Sequence, residues 1–100
     1  MDIKVNKEAW TGITAEDRDK IQKILKDAGA MDASDRIVGD AGTEPFTTSN
    51  LVAADGPCQA ACTAAYGRAT RVCSLLPHPG ARAVCYAAAM AAYAVCLRNC

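Results

Sequence analysis

PCQAACTAAYGRATRVCSLLPHPGARAVCYAAAMAAYAVCLRNC, residues 57–100, carries all six cysteines of the 100-residue chain, placed symmetrically about Pro79. Cys58 and Cys100, Cys62 and Cys96, and Cys73 and Cys85 are each equidistant in sequence from that proline. Pro79 sits in Pro77-His78-Pro79-Gly80, the strongest turn signal in the chain. Alanine dominates both flanking arms and is the best helix former. Asp55-Gly56-Pro57 supplies a start, because proline is harmless in a first helical turn, and Pro77 supplies a stop. The pattern predicts one helix from about Pro57 to Leu76 and a second from Pro79 or Gly80 to Cys100, folded back on each other.

At 100° per residue, the three cysteines of each arm fall within about 60° of one another, so each helix carries them as a single seam. Antiparallel helices with small facing residues approach to about 8–10 Å, which brings facing Cα atoms to about 4–6 Å, inside disulfide range. Helical phase and register together select three nested bonds: Cys58–Cys100, Cys62–Cys96 and Cys73–Cys85. The same register sets Ala65 against Tyr93, Tyr66 against Ala92, Ala69 against Ala89 and Val72 near Tyr86. Loops of about 11, 33 and 41 residues are each worth nominally about 3–4 kcal/mol in removed denatured-state entropy, and nesting makes the total less than the sum. A bare hairpin of this size buries too little to persist without such staples.

The first half differs in every respect. Residues 1–56 hold seven Lys/Arg against eleven Asp/Glu and no cysteine, whereas residues 57–100 hold only Arg68, Arg71, Arg82 and Arg98, with no acid. An acidic half is joined to a basic half. From about 14 to 28 the pattern is an amphipathic helix: Thr14 as N-cap, Glu16 and Asp17 in the first turn, an apolar stripe of Ile21, Ile24, Leu25 and Ala28, and Gly29 just beyond the end. So narrow a stripe requires a partner: Trp10 and Ile13 beside it, the hairpin, or another protein. From about 39 to 56 the composition turns to Gly, Ala, Thr, Ser, Asn and Asp around Pro45, which reads as a flexible linker. The expected architecture is all-α: an acidic segment over 1–56, then the stapled hairpin over 57–100.

The Cys58-x3-Cys62 and Cys96-x3-Cys100 motifs resemble the twin CX3C arrangement of the α-hairpinins, plant defence and protease-inhibitor peptides built as two helices joined by nested disulfides. The inner pair Cys73 and Cys85, and the longer span between the motifs, depart from that pattern. Twin CX3C is similar as well to small chaperones of the mitochondrial intermembrane space. The layout as a whole resembles a bacterial leader-plus-core, bacteriocin-like peptide precursor.

These readings converge on an expectation of function. The chain is read as the precursor of a small secreted, disulfide-rich bioactive peptide, antimicrobial in character. Its acidic leader holds the cationic core inactive until it is removed. The leader helix, through Ile21, Ile24 and Leu25, is the expected contact for processing and export machinery. Arg68, Arg71, Arg82 and Arg98 form the cationic surface offered to a target membrane or receptor. The amino terminus is charged and lacks the apolar run of a secretory signal, so export is expected to be leader-dependent and non-classical, from a cytoplasmic precursor to a secreted or periplasmic product. The charge-free run from Ala83 to Leu97 falls short of the ~20 residues that span a bilayer, and no transmembrane helix is expected. Tyr86, Met90, Leu97, Leu75 and Leu76 serve either lipid contact or packing of the first helix.

The same residues admit other chemistries. Helix-borne CxxxC suits soft ions such as Cu(I) and Zn²⁺, with His78 and Met90 as further ligands, and defines an alternative in which the full-length protein binds metal or a protein partner. Three separated pairs are a poor four-ligand cluster, so no metal is assigned. Arg82 or Arg71 could occupy a trypsin-like pocket in an inhibitor. Thr63, Thr70 and Ser74 are too few for six thioether crosslinks. One histidine, no phosphate loop and no Cys-His pair with a supporting acid give no enzyme and no cofactor. Four dispersed arginines without interleaved aromatics give no nucleic-acid stripe.

Overall fold

The computed structural model describes residues 2–41 and 56–98. Two strands and four helices follow in the order β1 (Asp2–Asn6), α1 (Lys7–Thr11), α2 (Ala15–Asp27), β2 (Arg36–Asp40), α3 (Pro57–Cys73) and α4 (Pro79–Arg98). The hairpin, α3 with α4, and the helix α2 lie where the sequence puts them. Thr14 caps α2, its hydroxyl accepting from the Asp17 N–H at 3.1 Å. Gly29 takes a positive φ of 78°, the left-handed conformation that closes the helix end. Helix α3 ends at Cys73, one short turn before the expected Leu76, and the backbone turns through 74–78 to α4.

The all-α expectation is corrected by a two-stranded parallel sheet, with Ile3 opposite Ile37 and Val5 opposite Gly39. Its physical reason lies in Asp2-Ile-Lys-Val-Asn6, where apolar and polar residues alternate at the strand period. Ile3 and Val5 are buried while Asp2 and Lys4 face solvent. In β2, Ile37 is buried in the same way. Gly39 permits a close approach: a Cβ there would lie 3.1 Å from the Lys7 Cα and 3.4 Å from Trp10. Gly39 and Asp40, expected to open the linker, instead belong to β2. The remainder of the expected linker, 42–55, lies outside the described residues.

One core serves both halves. Ile3, Val5, Ile21, Leu25, Met31 and Ile37 from the acidic half join Ala69, Cys73, Ala81, Val84, Cys85 and Ala88 from the hairpin in a single buried cluster. Helix α2 touches α3 and α4, and β1 lies along α4. The narrow stripe on α2 thus finds its partner in the hairpin.

Candidate functional site

Two of the expected sulfur pairs are bonded across the hairpin. Cys62–Cys96 has a Cα separation of 5.9 Å and Cys73–Cys85 one of 5.5 Å. Cys58 is itself disulfide-bonded. Its expected partner, Cys100, lies outside the described residues. Between the staples the seam is built from buried Ala65, Ala69, Ala89 and Ala92. Small residues at these positions let the helices approach closely enough for the bonds. The disulfides keep the expected register, and within it two large residues meet as well. Tyr66 and Tyr93 stack on each other with ring centroids 5.1 Å apart, and the Tyr93 hydroxyl bonds Thr63 Oγ1 at 2.8 Å. Burial, and secondarily the neighbouring Tyr93, pushes the Tyr66 phenol above its ordinary value. Val72, expected near Tyr86, is 42% exposed.

The junction between the halves carries specific polar contacts. Asp17, in the first turn of α2, is buried, and its Oδ2 bonds His78 Nδ1 at 3.1 Å. The Asp17 side chain is 6% exposed and that of His78 is 67% exposed, so the turn histidine lies over a carboxylate that the fold otherwise encloses. Arg68 donates from Nε and Nη2 to the Ala28 carbonyl at 3.1 and 3.0 Å. That carbonyl sits at the end of α2, where a cation meets the negative pole of the helix. Arg82 turns inward and donates to the Leu76 carbonyl at 2.7 Å, closing the 74–80 turn. Within the acidic half, Arg18 donates to the Ile13 and Trp10 carbonyls at 2.7 and 3.3 Å, fastening α1 to α2. The Asp35 carboxyl accepts from the Asp32 N–H, which holds it below the usual carboxylate range.

The residues singled out from the sequence therefore divide by location. Ile21 and Leu25, expected to contact processing and export machinery, are fully buried in the core shared with the hairpin, and Ile24 is half-buried beside them. Of the four hairpin arginines, Arg68 and Arg82 are spent on backbone carbonyls. Arg71 and Arg98 are exposed and have no side-chain partner among the described residues. His78 is far from an idle turn residue, and its pairing with Asp17 had no sequence signal beyond an acid in a first turn. Among the described residues, no three His, Cys, Asp or Glu side chains come together as a metal cluster.

A groove of about 570 Å³ runs along the junction. Its floor is apolar, from Ile24 and Ala28 of α2 together with Val72 and Leu76 of the hairpin. Lys20, Lys23, Arg68, Arg71 and Asp27 form the rim. A smaller one, about 350 Å³, lies between the β1–α1 region and α4. Helix α4 is 20 residues long and apolar enough, by length and composition, to cross a membrane. It exceeds the fifteen-residue run visible in sequence because Arg82 lies within it. Ala81, Val84, Cys85, Ala88, Ala89, Ala92 and Tyr93 spend one side of it on the core.

No family model, curated relative or solved structure matches the chain.

Proposed function

We propose that the chain is a precursor in which a folded acidic segment clasps a basic, disulfide-stapled helical hairpin, later released as a small exported bioactive peptide. The observation that carries the reading is the placement of the covalent links. Both disulfides between described residues lie wholly within the hairpin, and neither ties it to residues 2–41. A cut anywhere between 42 and 55 leaves two pieces that, among the described residues, are joined by apolar packing and the Asp17–His78 and Arg68–Ala28 contacts. Cys58–Cys100 completes the ladder in this proposal, which keeps the resemblance to α-hairpinins and to leader-plus-core precursors. The acidic half neutralises the hairpin's charge and covers its apolar face, as a pro-segment holding a cationic peptide inactive would. Ile21 and Leu25 become available to processing machinery only once the segment has come away.

The shared core favours a second reading, a full-length binding module that is never cut. Intact mass analysis separates them. The precursor reading expects a fragment of roughly 44 residues, beginning near Pro57, in the culture medium, with six thiols masked before reduction. Finding only the uncut chain outside the cell, or six alkylatable thiols in the native protein, refutes it.

A further inference from the structure

The junction groove has a composition that the precursor reading leaves unused. Its floor of Ile24, Ala28, Val72 and Leu76 combines aliphatic groups from both halves, while its rim carries four cations against the single carboxylate of Asp27. Lys20 is within 3.4 Å of Glu16, and Arg68 is committed to the Ala28 carbonyl. Among the described residues, the Lys23 and Arg71 side chains have no hydrogen-bond or ion-pair partner, and both line the groove, one from α2 and the other from α3. The two large apolar residues left exposed among the described residues, Val72 and Leu75, lie at this end of the hairpin, Val72 in the groove itself.

We infer that the groove binds a single anionic amphiphile, a free medium-chain alkyl carboxylate, with the tail along Ile24, Val72 and Leu76 and the head between Lys23 and Arg71. The volume falls in the range of about 300–1,000 Å³ usual for small-molecule sites that are mostly apolar with a few placed polar groups. An uncharged apolar ligand leaves both cations without a counter-charge, and a cationic one adds to them. A carboxylate offsets both, and Arg71 presents the planar fork suited to it. A bare anion gains nothing from the floor. Charge and shape together therefore select a molecule with one anionic end and one aliphatic end. Because both halves build the groove, the site belongs to the assembled chain. The uncut chain carries it under either reading of function, and release of the hairpin would take it apart.

The test uses the oxidised full-length protein and dodecanoate below its micellar concentration, followed by NMR of the Ile24, Val72 and Leu76 methyl groups and by calorimetry. Saturable one-to-one binding that shifts these methyls is expected. Acetate should give no shift. Dodecyltrimethylammonium should bind at least about tenfold more weakly, reflecting a reversed head-group charge at a partly desolvated site. The Lys23→Gln, Arg71→Gln double variant, altered only at exposed positions, should keep the parent's unfolding midpoint and weaken dodecanoate about fivefold or more. Val72→Gln should weaken both amphiphiles alike. Equal affinity for the two amphiphiles, undiminished binding by the double variant, shifts confined to the groove on the β1 side, or no saturable binding each overturn the inference. So does binding only to phosphatidylglycerol vesicles, which would identify a membrane surface rather than a free amphiphile as the ligand.

Discussion

Leu25→Ala tests whether the acidic half and the hairpin are one folding unit. Leu25 is 0% exposed and belongs to the cluster that also contains Ala69, Cys73, Leu76, Val84 and Cys85. Truncating so enclosed a leucine removes its transfer free energy and leaves a cavity, about 2–5 kcal/mol in comparable cores. For a domain near this size each kcal/mol moves the midpoint by about 4–8 °C, so a fall of at least about 8 °C is expected. The assay is thermal unfolding of the oxidised protein, read by Trp10 fluorescence for the acidic half and by the near-ultraviolet signal of the Tyr66–Tyr93 stack for the hairpin. If a single core joins the halves, both probes shift together, because the lost packing is shared. A Trp10 transition that drops while the tyrosine transition stays in place refutes the shared core. It would mean that the staples hold the hairpin independently and that α2 is merely laid upon it.

Reduction should be far more damaging than any single substitution: separations of 34 and 12 residues correspond to about 4 and 3 kcal/mol of removed denatured-state entropy, before any discount for nesting. Circular dichroism of reduced, alkylated protein should show most of the α3 and α4 helicity lost; retention would show that the staples are dispensable. Gly29→Ala should cost about 1 kcal/mol, since φ is 78° there while a Cβ would meet only Arg68 Nη2 at an ordinary 3.6 Å, and an unchanged urea midpoint would contradict it. His78→Ala should cost about 1–3 kcal/mol by leaving the buried Asp17 oxygen short of its partner, and His78→Gln should recover part of it. Tyr66 titrates above its ordinary value of 10.0, so the unfolded chain releases that proton first. The stability linked to Tyr66 is complete below pH 10 and lost as the pH rises through the folded value. Tyr66→Phe should therefore flatten the alkaline fall in stability, and an unaltered pH profile would contradict the assignment.

How legible these features are in the sequence depends on how local their causes are. The hairpin is legible because its constraints are periodic: cysteine phase on each helix, alanine along the seam, and a double-proline turn between. Helix α2 is legible from Thr14, the Ile21–Leu25 stripe and Gly29. The sheet is written just as plainly in the alternation of Ile3 and Val5, but five residues of alternation compete with a high density of charge, and parallel pairing with β2 across some thirty residues leaves no local mark. The same holds for the site. Asp17 and His78 are 61 positions apart, and Arg68 finds the Ala28 carbonyl 40 positions away. Both contacts follow from docking the halves, which the narrow stripe demands without specifying where.

The docking changes what the charge division means. Read along the chain, an acidic and a basic half suggest broad electrostatic attraction, which salt would screen within about 10 Å. In the folded molecule the attraction is concentrated at a few points: one buried carboxylate under the turn histidine and one arginine on a helix-end carbonyl, beside a shared apolar core. Release of the hairpin after a cut in 42–55 should consequently respond weakly to salt and strongly to loss of packing. A nicked, oxidised sample run on size exclusion should remain a complex at high ionic strength and separate when Leu25→Ala is introduced. Separation of the unaltered nicked protein by salt alone would return the weight to long-range charge and remove the core from the account of how the segment is held.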